Sequence, residues 1–161
     1  LGYDGKGQVR VDNLQDAHDG FRQLGEVPCI LEERAQLDLE LSVILARGTS
    51  GETAVFPVGE NSHANGILDT TCVPARVSAD ISARATDMAL RLASAMQYCG
   101  VLAVEFFLTV DGRLLVNEMA PRPHNSGHYT LDACLNSQFE QQVRTLCGLA
   151  PGAARLLSPD G

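Results

Sequence analysis

The chain has 161 residues, 45% of them hydrophobic and 20% charged, enough to close one domain around a core. Its formal charge of −8 argues against a nucleic-acid or anionic-membrane surface, either of which needs a basic field. No apolar run approaches the roughly 20 residues that cross a bilayer.

In chain order, the first feature is the glycine-rich stretch GYDGKGQ, Gly2 to Gln8. Exposed N–H groups in such a loop can cradle phosphates, with Lys6 as a point charge, although Asp4-Gly5 is also an ordinary turn pair. It does not match the Walker pattern. QVRV reads as a strand leaving the loop. Asn13 to Leu24 reads as a helix with Leu14, Ala17, His18, Phe21 and Leu24 on one face and Gly25 as its stop. VPCILEE reads as a strand that ends in Glu32 and Glu33. LDLELSVILAR, from Leu37 to Arg47, alternates and then turns fully apolar, as a strand entering a core does. TAVFPV reads as a short edge strand.

Ala79 to Cys99 is the longest helical pattern, with a stripe of Ala85, Met88, Ala89, Leu92, Ala95, Met96 and Cys99, and Gly100 as terminator. VLAVEFFLTV and RLLVNEM flank Asp111-Gly112 and read as a hairpin. Asn136 to Cys147 reads as the last helix, closed by Gly148. The mixture predicts an α+β fold with mostly antiparallel strands. The five cysteines contain no C-x-x-C pair, which argues against a zinc ribbon and for reduced thiols in a cytoplasmic protein.

A two-residue turn at 111–112 places Glu105 opposite Glu118; a three-residue loop would break that pairing. Like charges placed directly opposite destabilise a sheet, and apolar neighbours make matters worse. A shared proton or a cation relieves the repulsion, and two rigid carboxylates suit Mg²⁺, which completes its shell with water and phosphate oxygens. Directly after Glu118 comes the polar, proline-stiffened run APRPHNSGH. There Arg122 offers a planar fork for carboxylate, bicarbonate or phosphate oxygens, His124 and His128 can move or donate protons, and Asn125 and Ser126 can hold a small oxyanion.

Three stretches in order, GYDGKGQ, ENSHANGI and NEMAPRPHNSGH, resemble the ATP-grasp enzymes of the 5-(carboxyamino)imidazole ribonucleotide synthase family. The likeness runs from Gly2 to about Leu149. It implies a partial ATP-grasp fold: part of the lid over 1–31, the core over 32–148, and a linker from 149 to 161 toward a further domain. It implies ATP and Mg²⁺ as cofactors, and carboxylation of 5-aminoimidazole ribonucleotide by bicarbonate through carboxyphosphate in purine biosynthesis. By that likeness Glu105 and Glu118 hold the metal. Glu32, Glu33, Arg34 and Ala35 line the adenine pocket, Glu40 meets the ribose, and His63 and Asn117 complete the nucleotide site. Gly2, Tyr3, Asp4, Gly5, Lys6, Gly7 and Gln8 form the loop that closes over substrate, while Arg122, His124, Asn125 and Ser126, with Lys6, act on bicarbonate and carboxyphosphate. Leu37 and Lys6 depart from residues usual in the family. The resemblance also leaves room for a homodimeric parent, of which this chain is expected to be a fragment, inactive alone. Two rivals stay open: a formate-dependent glycinamide ribonucleotide transformylase-like ligase, and a nucleotide-binding fragment without chemistry.

Overall fold

A computed structural model describes residues 7–64 and 66–158 of the chain. It divides into two compact units, one of residues up to Ala35 with Ala64–Ile67, the other of Gln36–His63 with 68 onward.

The first unit is built on one helix, α1 (Leu14–Gln23), capped by the Asn13 side chain, which accepts from the Asp16 N–H. The apolar stripe expected to be buried is not: Leu14 is 75% exposed and Phe21 41%. The helix instead buries Gly20, where a Cβ would lie 3.1 Å from Val9 and 3.3 Å from Val11. Neither QVRV nor VPCILEE forms a strand. A strand is held by a neighbour's hydrogen bonds, and no described strand pairs with either.

The second unit is a six-stranded sheet with packed helices. Its strands are β1 (Leu37–Arg47), β2 (Thr53–Val55), β3 (Gly59–Ala64), β4 (Ile67–Cys72), β5 (Gly100–Thr109) and β6 (Leu114–Ala120). The order is β4-β3-β1-β5-β6, with β2 paired to the far end of β1. The registers of β1 with β2, β3 and β5, and of β5 with β6, are all antiparallel. β3 and β4 were not foreseen, because GENSHA and ILDTTC lack an apolar alternation; the edge of β1 supplies the reason for β3 to be extended, and β3 in turn for β4.

Helix α2 (Ala79–Ala95) packs Ala85, Ala89 and Ala93 onto one sheet face, against Leu41, Val43, Leu45, Leu102, Val104 and Phe106. Its Ser78 cap accepts from Ile81 N–H. The helix ends at Ala95 rather than at Gly100: Gln97 takes a left-handed turn (φ 49°) and Gly100 already opens β5. Met96 and Cys99 therefore leave the stripe and are exposed. On the opposite face, Ile44, Ala46, Val101 and Ala103 pack under Cys134 and Ala154. α3 (Thr130–Ala133) and α4 (Gln138–Leu146) complete this layer. α4 inverts the usual pattern, since Gln138, Gln141 and Thr145 face inward while Phe139, Val143 and Leu146 are exposed. Among the described residues no helix is long and apolar enough to cross a membrane.

Candidate nucleotide and anion site

Side chains alternate along strands, so β1 directs Glu40 and Ser42 to the face opposite α2. The register sets Ser42 beside Glu105, and Glu40 beside Asn61. This end of the face is polar. The Asn61 side-chain Oδ1 accepts from Thr71 Oγ1 at 3.0 Å and from Ser42 Oγ at 3.4 Å. His63 Nδ1 lies 2.6 Å from Glu40 Oε2, though not at a hydrogen-bonding angle.

Glu105 and Glu118 are register partners across β5 and β6. The route to that pairing differs from the expected one. The connection is a three-residue loop, Val110 to Gly112, with Thr109 N–H donating to Arg113 O and Gly112 N–H to Thr109 O. Gly112 has φ +80°, the left-handed position such a loop requires. Near the turn, Leu108 therefore pairs with Leu114 and Phe106 with Val116, one residue out of the two-residue register. A bulge then leaves Asn117 unpaired and restores Glu105 to Glu118. The three-residue loop did not break the pairing because this second irregularity cancels the first.

Glu105 is the one charged residue of β5, and its Oε1 is buried without a hydrogen-bond partner. Burial pushes its carboxyl above the ordinary range; the Glu118 charge pushes the same way, His63 opposes, and Glu40 adds to the rise. Among the described residues no group of three or more His, Cys, Asp and Glu side chains could hold a metal unaided. The donor set is thus two facing carboxylates, one with an orphaned oxygen. That fits Mg²⁺, whose remaining positions are filled by water and phosphate oxygens.

Residues 121–128 turn back over Glu105. His124 Nδ1 sits 3.6 Å from Glu105 Oε1 and 3.0 Å from Ser126 Oγ. Burial holds the His124 ring below its ordinary pKa, helped by the Arg122 charge and opposed by Glu118, so the ring is neutral at neutral pH. Arg122 is exposed, and its Nη1 donates to Pro123 O at 2.9 Å. Asn125–Gly127 form one 3-10 turn in which Asn125 is exposed and Ser126 fully buried. His128 points away, its ring centroid 5.9 Å from that of Phe139.

Glu40, His63, Glu105, Asn117, Glu118, Arg122, His124, Asn125 and Ser126 all fall in the second unit, where contacts join Glu40 to His63, Glu105 to Glu118 and to His124, and His124 to Ser126. Gly7 and Gln8 are exposed in the first unit, as are Glu32, Glu33 and Arg34, with Ala35 half-buried. Gly2, Tyr3, Asp4, Gly5 and Lys6 lie outside the described residues. Sequence reasoning missed Ser42, Asn61 and Thr71, and above all Gln138, whose buried amide holds the His124 backbone. The signal available was a glutamine directly after Ser137, a good helix cap.

The family model described as the ATP-grasp domain matches residues 1–139. The N5-carboxyaminoimidazole ribonucleotide synthase of Bacillus subtilis is 51% identical over 158 residues, which is 98% of this chain and 42% of that protein. Two solved structures are also similar. The Staphylococcus aureus N5-carboxyaminoimidazole synthetase complexed with ADP superposes with a TM-score of 0.87 at 38% identity, covering 97% of this chain and 41% of that one. The Aspergillus clavatus synthase in complex with ADP and 5-aminoimidazole ribonucleotide gives 0.84 at 31%, covering 92% and 40%. The chain spans about 42% of the length of the curated relatives it matches.

Proposed function

Because this chain belongs to the ATP-grasp family, we propose that it carries the metal and anion half of an ATP-dependent carboxylase acting on 5-aminoimidazole ribonucleotide in purine biosynthesis. The observation that carries this reading is the facing pair Glu105–Glu118, with an orphaned buried oxygen, directly under the 122–126 loop. The Aspergillus relative with ADP and 5-aminoimidazole ribonucleotide bound supports the choice of substrates.

In this reading the γ-phosphoryl of ATP passes to an oxygen of bicarbonate, giving carboxyphosphate and ADP. The amine of the ribonucleotide then takes the carboxyl carbon, directly or as released CO₂, and phosphate leaves. Glu105 and Glu118 hold Mg²⁺, which when bound neutralises charge on the transferring phosphoryl group. Glu40, His63 and Asn117 meet the nucleotide. Arg122 presents two parallel N–H donors to bicarbonate. His124 serves as a hydrogen-bond donor to the anhydride, with Asn125 and Ser126 beside it. By the family resemblance, the stretch from Gly2 to Gln8, with Lys6, is assigned to the substrate. Five free cysteines support a reducing compartment such as the cytoplasm. The exposed apolar side of α4 is compatible with a homodimer.

The test is phosphate release by the intact protein. ATP, bicarbonate and 5-aminoimidazole ribonucleotide together should be required. Turnover with formate and glycinamide ribonucleotide instead would assign the site to the transformylase chemistry.

A further inference from the structure

We propose that Gln138 is a positioning residue that fixes the anion loop by clamping the backbone of His124, and that Gly127 is glycine in order to admit it. The proposal rests on the reading above that residues 122–126 hold the anion.

Gln138 lies in the first turn of α4 and is fully buried. Its Oε1 accepts the His124 N–H at 2.9 Å, and its Nε2 donates to His124 O at 2.8 Å. One side chain thus satisfies both polar backbone groups of one loop residue, as a paired strand would, and holds that residue extended (φ −131°, ψ 156°). A buried amide is costly unless its hydrogen bonds are made, and here both ends are used on the same residue. The Gln138 backbone adds a second tie. Its N–H donates to Thr130 Oγ1 at 2.9 Å, and that hydroxyl donates to Gly127 O at 2.7 Å.

Gly127 shows the fit from the other side. A Cβ there would lie 2.4 Å from Gln138 Oε1, 2.7 Å from Cδ and 3.0 Å from Nε2. All three nearest atoms belong to the clamping amide. The glycine therefore answers to the glutamine, not to an unusual backbone angle.

The clamp aims the ring of His124. With the backbone fixed, Ser126 N–H donates to His124 Nδ1 at 3.4 Å. The Ser126 hydroxyl lies 3.0 Å from the same nitrogen, so the clamped backbone keeps the Nδ1 edge of the ring against Ser126.

α4 carries its own control. Gln141, also fully buried, clamps the Gly152 backbone in the same two-ended way, at 2.8 Å for each bond, away from the anion loop. In the intact protein, Gln138→Leu and Gln141→Leu remove equivalent clamps. Gln138→Leu should raise the KM for bicarbonate at least about tenfold and lower kcat, with the KM for ATP within about threefold. It should also speed hydrogen exchange in a peptide covering 121–128. Gln141→Leu should leave both KM values and that exchange unchanged, whatever stability it loses. Should Gln138→Leu fail to fold, Gln138→Glu keeps the shape and acceptor, loses the donor, and should show the same split. Equal effects of the 138 and 141 variants, or an unchanged bicarbonate KM with slow exchange in 121–128, overturn the proposal. Wild-type turnover that ignores bicarbonate overturns the functional reading instead, and the exchange measurement still decides the clamp.

Discussion

Glu105 is the residue with most at stake. Its carboxyl is buried, faces Glu118 and lacks a hydrogen bond on Oε1. A carboxyl whose folded pKa is raised binds its proton more tightly in the folded state. It is therefore harmless below the ordinary carboxylate range, and destabilising as pH rises through the raised value. Glu105→Gln should consequently raise the melting temperature of the ligand-free protein at pH 7–8, with the gain fading toward pH 4. Saturating Mg²⁺ and nucleotide should reverse the order, since only the wild type offers both carboxylates to the cation. Arg122 makes a separate prediction. Lysine keeps its charge but loses the planar fork. Arg122→Lys should lower bicarbonate-dependent turnover about tenfold, roughly 1.4 kcal/mol in barrier, while calorimetry finds ATP affinity within a few-fold. Collapse of ATP affinity with an intact bicarbonate response would move Arg122 to the nucleotide.

At the scale of elements, the β5–β6 hairpin delivers the two acids, and its loop depends on Gly112. No atom lies within 4 Å of a Cβ there, so the cost of substitution is backbone strain alone. Gly112→Ala should destabilise the protein by about 1–2 kcal/mol in urea unfolding, and Gly112→Asn by less, because asparagine tolerates the left-handed region better. Equal stability of all three would remove the glycine from the argument. This hairpin also shows how far sequence reasoning carries. The strands and the facing acids were legible, because β5 holds one acid in an apolar run and alternation tells which residues share a face. The three-residue loop and the Asn117 bulge were not, since each shifts the register by one and only their sum is visible at Glu118. β3 and β4 were missed because their extension comes from pairing, β3 on the edge of β1 and β4 on β3, rather than from their own pattern. α4 was legible by its Gly148 stop, but its buried side was not. Periodicity looks for apolar residues, and α4 turns Gln138 and Gln141 inward to bond backbone. Three-motif resemblance supplied what no single element did, the link from facing acids to nucleotide chemistry.

For the molecule as a whole, charge is the governing fact. The chain carries −8 and gathers Glu40, Glu105 and Glu118 at one end of a sheet face. A nucleoside triphosphate cannot approach that end at close range without a cation to invert its sign. The central claim is therefore that Glu105 and Glu118 act as one Mg²⁺-dependent unit in ATP chemistry. A double-mutant cycle on the intact protein tests it most directly, by titrating Mg²⁺ against bicarbonate-dependent ATP turnover in the wild type, Glu105→Gln, Glu118→Gln and the pair. Residues that serve one bound cation are not independent. Each single substitution should raise the Mg²⁺ requirement and cut turnover at least about tenfold, with the double variant little worse than the poorer single. Losses that simply multiply, or a Mg²⁺ requirement unchanged in both singles, would contradict the account.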